Sequence, residues 1–238
     1  MTSRNPGTLP LPPQKADRKR ADVLKAAVRC FRRHGFHQTS MQQICGATGL
    51  GPGAVYRYFT GKEAIIEAML EEERTQARAI LLKMRDAESL SQALATATRL
   101  IAERYRSGGD AGLMTEIYAE GMRSKRIGAV LRRIAAEWVM GLTNVLRVAQ
   151  ARGQFDASMD AAQTALFLAG MWDGMIIRQH FHAHDDPDAL PAFYENMLGR
   201  LLHRDAKTGA RAKAAPASLF DEPDESAAPA DKRQMSLL

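Results

Sequence analysis

Large apolar residues recur three or four positions apart along most of the chain, which is the spacing of amphipathic helices. The first stripe ends at His34-Gly35 and consists of Val23, Leu24, Ala27, Val28 and Phe31. A second, shorter helix is predicted to begin at a cap of Thr39 or Ser40 and to end at Gly49. A third is predicted over residues 52–59 and a fourth over 62–82. The N-terminal quarter is therefore a set of short helices.

The remainder of the chain keeps the helical period. Candidate helices cover residues 89–107, 111–122, 124–152, 158–182 and 188–204, with breaks at Gly108-Gly109, Arg152-Gly153 and Asp186-Pro187. Neither the alternation of a half-buried strand nor the turn pairs of a β-hairpin occur in this sequence. The pattern predicts an all-α protein of about nine helices.

The two ends differ in composition from the helical part. Residues 1–16 hold four prolines and no period, which predicts a flexible arm. Residues 205–238 are rich in Ala, Pro, Asp, Glu and Lys, which predicts a disordered tail. Between them, we expect a small head over residues 17–62 and a larger helical-bundle domain over residues 63–204.

Positive charge is concentrated in the head. The chain has a net charge of +6, but residues 1–62 alone hold eleven Lys and Arg against two Asp. Such a block attracts polyanions, of which nucleic acid and anionic membrane are the usual two. A basic face that is merely solvated is the alternative.

The sequence lacks the motifs that are typical of several classes of protein. There is no apolar leader and no apolar run of about 18 residues, so we expect a soluble cytoplasmic protein that binds no membrane. There is also no glycine-rich phosphate loop, no His-Glu-x-x-His and no Glu-x-x-His pair, so we expect neither an enzyme nor a bound cofactor. Cys30 and Cys45 are expected to be small buried thiols. His180 and His184 lie four apart, which suits either a metal site or the capping of a helix end; we expect no metal.

Residues 39–59 have the spacing of a helix-turn-helix, whose second helix lies in the DNA major groove. Gly49 suits the turn, and Cys45 is small enough for the two helices to cross closely. Pro52 suits the first position of the second helix, with Gly51 as its N-cap. Val55 and Phe59 share the buried face of that helix, which leaves the opposite face directed outward.

These residues resemble the TetR family of bacterial transcriptional regulators. The matching run spans residues 23–70. It comprises an opening helix that ends F-x-x-x-G-F at 31–36, then T-S-M-x-x-I at 39–44, T-G-L at 48–50, G-x-V-Y-R-Y-F at 53–59, and Lys62-Glu63. Two positions depart from the family pattern: Gly51 caps the recognition helix where Ser or Thr is usual, and Thr48 replaces a usual Ala. The resemblance implies a DNA-binding head on a ligand-binding and dimerisation body.

Carried over residue by residue, the resemblance implies double-stranded DNA as the partner. Phosphate contacts are implied for Thr39, Tyr56 and Lys62, and base-edge contacts for Gly53, Ala54 and Arg57. Ser40 and Tyr58 complete the implied DNA-binding set. Arg57 could instead contact only a phosphate or be solvated. Tyr58 could instead pack against the first helix.

The resemblance also implies an effector pocket and a two-fold interface in the body. Large aromatic and thioether side chains suited to an apolar effector are Met114, Tyr118, Met122, Trp138, Met171, Trp172 and Met175. Ordinary core packing is the alternative for each of them. Apolar candidates for a homodimer interface formed by the last two helices are Phe167, Leu168, Ile176, Phe193, Met197 and Leu201.

The function that these expectations favour is a homodimeric repressor that binds a palindromic operator and is released by a small, mostly apolar effector. The alternative is a DNA-bound adaptor of the same fold, which recruits a protein partner through its C-terminal tail and has no small-molecule effector.

Overall fold

The computed structural model describes residues 13–106, 110–181, 186 and 188–202. This part of the chain contains nine α-helices and no strand, which confirms the all-α prediction. The helices are α1 Pro13–His34, α2 Met41–Thr48, α3 Pro52–Tyr58, α4 Lys62–Arg85, α5 Leu90–Arg106, α6 Asp110–Arg123, α7 Lys125–Ala151, α8 Ala161–Phe181 and α9 Ala189–Leu202. The predicted tail and most of the predicted arm lie outside the described residues.

The first helix begins earlier than predicted. It starts at Pro13, inside the stretch 1–16 for which composition predicts a flexible arm. Its first turns carry no apolar stripe, so periodicity alone cannot detect them. Gln, Lys, Ala and Arg nevertheless have high helix propensity, and Pro is tolerated at a first helical position.

Local chemistry accounts for the helix-turn-helix. Ser40 caps α2, since its hydroxyl accepts the Gln43 N–H and the Gln43 side chain accepts the Ser40 N–H. Gly49 ends α2 with φ of 66°, a left-handed conformation that glycine adopts at no steric cost. Gly51 is the N-cap of α3 and makes no side-chain cap bond, while Pro52 occupies the first turn. These features follow the predictions from sequence.

The described residues form two hydrophobic cores, and α4 belongs to both. Its first half supplies Ile65, Ile66 and Leu70 to the head core, and its second half supplies Leu81 and Met84 to the body core. The head core also contains Leu113 and Ile117 of α6 and Ile127 of α7. The predicted boundary between residues 62 and 63 therefore does not coincide with a break in packing.

Close helix crossings in the body depend on glycines. A Cβ placed on Gly128 would lie 2.5 Å from the Gly121 carbonyl oxygen, so α6 and α7 approach at a glycine–glycine contact. A Cβ placed on Gly141 would lie 2.4 Å from Leu81 Cδ1 of α4. Helix α7 consequently packs tightly on both α4 and α6. Within the described ranges, no helix is both long and apolar enough to cross a membrane.

Candidate DNA interface and effector cavity

Helix α3 presents one face to the head core and the other to solvent. Val55 and Phe59 are 0% and 2% exposed and anchor the helix. Gly53 and Tyr56 are exposed and Ala54 is partly so, and no atom lies within 4 Å of a Cβ placed on Gly53. The N-terminal end of the helix thus offers a smooth surface that a duplex can approach closely.

Arg57 is exposed and is held in position by its neighbour. Its guanidinium donates to the Tyr58 hydroxyl at 3.3 Å and lies 5.3 Å from the centre of the Tyr58 ring. The Tyr58 ring itself packs against the head core. No carboxylate in the described part of the chain pairs with Arg57, so its fork of donors is available to a nucleic acid.

The structure gives Thr39 a different position from the one implied by the resemblance. Its side chain is 1% exposed, and its hydroxyl faces the carbonyl oxygens of Gly35 and Cys30 at 2.7 and 3.2 Å. A hydroxyl buried in this way cannot reach a phosphate without breaking those bonds. Thr39 therefore holds the α1–α2 turn, and Ser40 beside it is the exposed hydroxyl.

Lys62 also makes contacts within the head that were not predicted from the sequence. Its ammonium donates to the carbonyl oxygens of Phe36 at 2.8 Å and His37 at 3.2 Å, and lies 4.5 Å from the centre of the Phe36 ring. These contacts tie the start of α4 to the α1–α2 turn. An ammonium has three donors, so one stays free for the predicted phosphate contact.

Basic residues of α1 extend the surface around α3. The Arg20 guanidinium stacks 4.8 Å from the centre of the Phe59 ring at the end of α3. Arg18 is exposed on the same N-terminal part of α1, and Lys19 is partly exposed. This positive strip flanks the recognition helix, and the charge distribution of the sequence was the signal for it.

A cavity of about 490 Å³ lies in the body and is lined by residues of α4 to α8. Four of the predicted effector residues line it: Met114, Tyr118, Trp138 and Trp172. The other three do not. Met122 is 88% exposed near the end of α6, whereas Met175 is buried in the body core and Met171 packs against that core.

Three polar groups of the cavity come from two helices that are distant in sequence, so the sequence pattern did not predict that they lie together. Arg104 of α5 forms an ion pair with Glu73 of α4, with 3.0 Å between Nε and Oε2, and the Tyr105 hydroxyl donates to the same oxygen at 3.0 Å. The bond to Glu73 raises the pKa of Arg104, and burial raises the pKa of Tyr105. Only the folded chain brings these groups together.

Asp173 of α8 also lines the cavity and differs from Glu73 in having no partner. No hydrogen bond or ion pair joins its carboxylate to any residue in the described ranges, and partial burial raises its pKa. Burial also raises the pKa of Tyr118, and the negative charge of Asp173 adds to that rise. Asp173 and Tyr118 therefore face the same space.

The exposed apolar face of α8 and α9 agrees only partly with the predicted dimer interface. Phe167, Phe193 and Met197 are 60%, 60% and 38% exposed. Two candidates do not lie on this exposed face: Leu168 is fully buried in the body core, and Ile176 lines the cavity. The side chain of Leu201 lies outside the described residues. Ile177 and Phe181 of α8 are also exposed, at 40% and 74%, and were not among the candidates.

His180 lies in the last turn of α8, and His184 lies outside the described residues. The described ranges hold no group of three or more side chains placed to bind a metal ion.

Two family models match the chain. One, described as bacterial regulatory proteins of the tetR family, matches residues 23–69, and the other, described as BetI-type transcriptional repressor, C-terminal, matches residues 87–203. The chain belongs to the TetR family of bacterial transcriptional regulators. This confirms the resemblance drawn from residues 23–70.

Similar TetR-family proteins are transcriptional regulators. UidR of Escherichia coli K12 is 28% identical over 162 residues, which cover 68% of this chain and 82% of UidR. The transcriptional repressor NicS of Pseudomonas putida is 28% identical over 161 residues, covering 66% and 76%. This TetR-family chain is thus a DNA-binding transcriptional regulator, and its relatives support repression. The adaptor alternative is not favoured.

Solved structures show the same TetR fold. Salmonella enterica GusR superposes with a TM-score of 0.66 at 28% identity, covering 83% of this chain and 99% of GusR. A transcriptional regulator from Saccharomonospora viridis, solved in complex with choline, superposes with a TM-score of 0.69. Its identity is 16%, over 79% of this chain and 100% of that one, so it bears on the fold alone.

Helix α6 connects the two sites of this TetR-family chain. Its Glu116 carboxylate accepts the backbone N–H of Phe36, in the α1–α2 turn, at 2.6 Å. Leu113 and Ile117 pack in the head core, whereas Met114 and Tyr118 line the cavity. One helix therefore contacts the DNA-binding head on one side and the cavity on another.

Proposed function

We propose that this TetR-family regulator acts as a homodimeric repressor that binds a near-palindromic operator and is released when a small molecule occupies the body cavity. The observation that carries the proposal is the position of α6, which lines the cavity and also bonds to the turn that precedes the helix-turn-helix. A ligand that displaces α6 must change contacts on the head. The switch is a shift between two populations, and its size is limited by the ligand's differential affinity.

Dimerisation is supported by the exposed apolar face of α8 and α9. Phe167, Ile177, Phe181 and Phe193 are large, apolar and each at least 40% exposed in the single chain. Gly170 and Gly174 lie on α8 between the exposed residues of that helix, and a Cβ placed on either glycine would have no atom within 4 Å. A partner helix can therefore approach this face closely. A two-fold dimer through this face carries two heads, which suits two half-sites about one helical turn apart.

In this proposal the exposed residues of α3 and its neighbours make different kinds of contact with DNA. Arg57 makes the base contact, since it is the one outward side chain of α3 with a bidentate donor fork. Tyr56, at 48% exposure, and Ser40 donate hydroxyls to phosphates, and Lys62 contributes its remaining donor. Gly53 and Ala54 let the backbone approach the base edges.

Selection of bound duplexes from a random pool, followed by anisotropy titration of the selected duplex across salt, tests this proposal. The expected product is a palindrome whose affinity falls steeply with salt. Arg57→Ala should cost about 1–3 kcal/mol and relax specificity at one base pair in each half-site. Tyr56→Phe should weaken binding equally for all sequences, because a phosphate contact carries no base information.

Arg147→Ala serves as the control, because Arg147 is exposed on α7 in the body and its loss changes the charge equally. It should leave operator affinity almost unchanged. Equal binding to all duplexes, or Arg57→Ala behaving like Arg147→Ala, would contradict sequence reading by α3.

A further inference from the structure

We infer that the ligand of the body cavity is an organic cation with an apolar body, whose positive charge is bound by Asp173 between aromatic side chains. This inference rests on the proposed function, since it names the chemical class of the effector. It follows from which polar groups of the cavity are already bonded and which are free.

The strongest donors around the cavity are already used within the protein. The guanidinium of Arg104 and the hydroxyl of Tyr105 both donate to Glu73. The indole N–H of Trp172 donates to Thr98 Oγ1 at 3.0 Å. Two N–H groups of Arg104, the Tyr105 hydroxyl and the Trp172 indole N–H are thus occupied, and an anionic ligand would have to compete with Glu73 and Thr98 for them.

The acceptor side of the cavity is different. Among the ionisable side chains that line it, Glu73 is neutralised by Arg104, whereas Asp173 has no partner in the described ranges. Ionised Asp173 therefore leaves the cavity with one excess negative charge. The Asp173 side chain is exposed and has no partner in the described ranges, so a ligand cation can bind it without breaking a bond within the protein.

Aromatic rings also line this cavity. Trp138 and Trp172 are in edge-to-face contact with 5.9 Å between ring centres, and Tyr118 faces Asp173 from α6. Ring faces attract cations electrostatically, and tryptophan does so most strongly. The volume of about 490 Å³ leaves room for an apolar body beside the charged group.

Intrinsic fluorescence can test this inference without DNA, because the only two tryptophans of the chain, Trp138 and Trp172, both line the cavity. The probes are benzyltrimethylammonium, its uncharged carbon isostere neopentylbenzene, and the anion 3-phenylpropionate. We expect saturable binding of the cation, roughly ten-fold tighter than that of the isostere, with the anion weakest.

Two variants assign the preference to Asp173. Asp173→Asn keeps the shape and removes the charge, so most of the preference for the cation over the isostere should be lost, and only the attraction of the aromatic rings should remain. Glu103→Gln removes the same charge from an exposed position on α5 that does not line the cavity, and it should keep the preference. Far-ultraviolet circular dichroism of both variants checks that the fold is retained.

The inference is overturned if the isostere or the anion binds as tightly as the cation, if the cation gives no saturable change, or if Asp173→Asn keeps the preference. Failure of the proposed function would look different. In that case the cation binds as expected, but the affinity for the selected operator is the same with and without it.

Discussion

Ionised Asp173 lowers the stability of the folded protein, and this effect is measurable in the absence of any ligand. Partial burial raises its pKa, so the folded protein holds this proton more tightly than the unfolded chain does. Stability contributed by this group therefore falls as pH rises from the unfolded pKa, about 3.9, through the folded pKa, and the penalty is complete above it.

Replacing Asp173 by Asn should remove that penalty. At neutral pH the Asp173→Asn variant should be more stable than the wild type, and the difference should disappear below about pH 4, where both states are protonated. Urea unfolding at several pH values and one fixed protein concentration measures this. Glu103→Gln, on the exposed side of α5, should show no such gain. A less stable Asp173→Asn protein would mean that the carboxylate is paired in solution.

The roles of single residues could be predicted from sequence only where they depend on near neighbours in the chain. The roles of Ser40 and Gly49 could be predicted, because a cap and a left-handed turn depend on neighbours within a few positions. Thr39 could not be placed from sequence, since its burial depends on the turn that follows α1. Nor could the partners of Lys62, which lie 25 and 26 residues away.

At the scale of elements, the crossing of α6 and α7 is the contact that holds one wall of the cavity against the head. The two backbones approach closely at Gly128, where an added Cβ would lie 2.5 Å from the Gly121 carbonyl oxygen. Ser124, the N-cap of α7, also donates to Glu63 of α4 at 3.3 Å. The end of α6 and the start of α7 are thus fixed to the same part of the head.

Gly128→Ala should destabilise the protein by about 1–3 kcal/mol, because backbone atoms must move to accept the methyl group. Equilibrium unfolding in urea measures the change. Gly112→Ala on α6 is the matched control: it adds the same methyl where no atom lies within 4 Å, and it should be neutral or stabilising by up to about 1 kcal/mol. Equal stability of the two variants would contradict the close crossing.

Helix lengths could be predicted better than the faces of the helices. The candidate helix over 124–152 nearly equals α7, because its apolar period is long and its cap and terminal residues are local signals. The cavity lining was predicted correctly for Met114 and Tyr118 but not for Met122, which follows Met114 by eight positions on the same helix. Which residues of a helix reach a cavity depends on where the neighbouring helices end, and sequence period carries no such information.

At the scale of the whole molecule, the head and the body share elements. Helix α4 contributes to both cores, and its Leu70 packs in the head core while also lining the cavity. Glu67 of α4 bonds to Arg126 of α7 at 2.8 Å, and Arg74 bonds to Glu137 of α7 at 2.7 and 2.8 Å. The head and the body are therefore joined by packed and bonded helices, and the proposed release would transmit movement of a cavity wall through them.

Reciprocal coupling between the operator and the cavity ligand tests this account most directly. If occupation of the cavity releases the operator, a saturating operator must weaken ligand binding by the same factor. Benzyltrimethylammonium is titrated by tryptophan fluorescence against the free protein, against the protein saturated with the selected duplex, and against a scrambled duplex of equal length. Ligand binding should be weaker by about 5- to 150-fold with the operator and unchanged with the scrambled duplex. Superimposable curves for the free and operator-bound protein would contradict it.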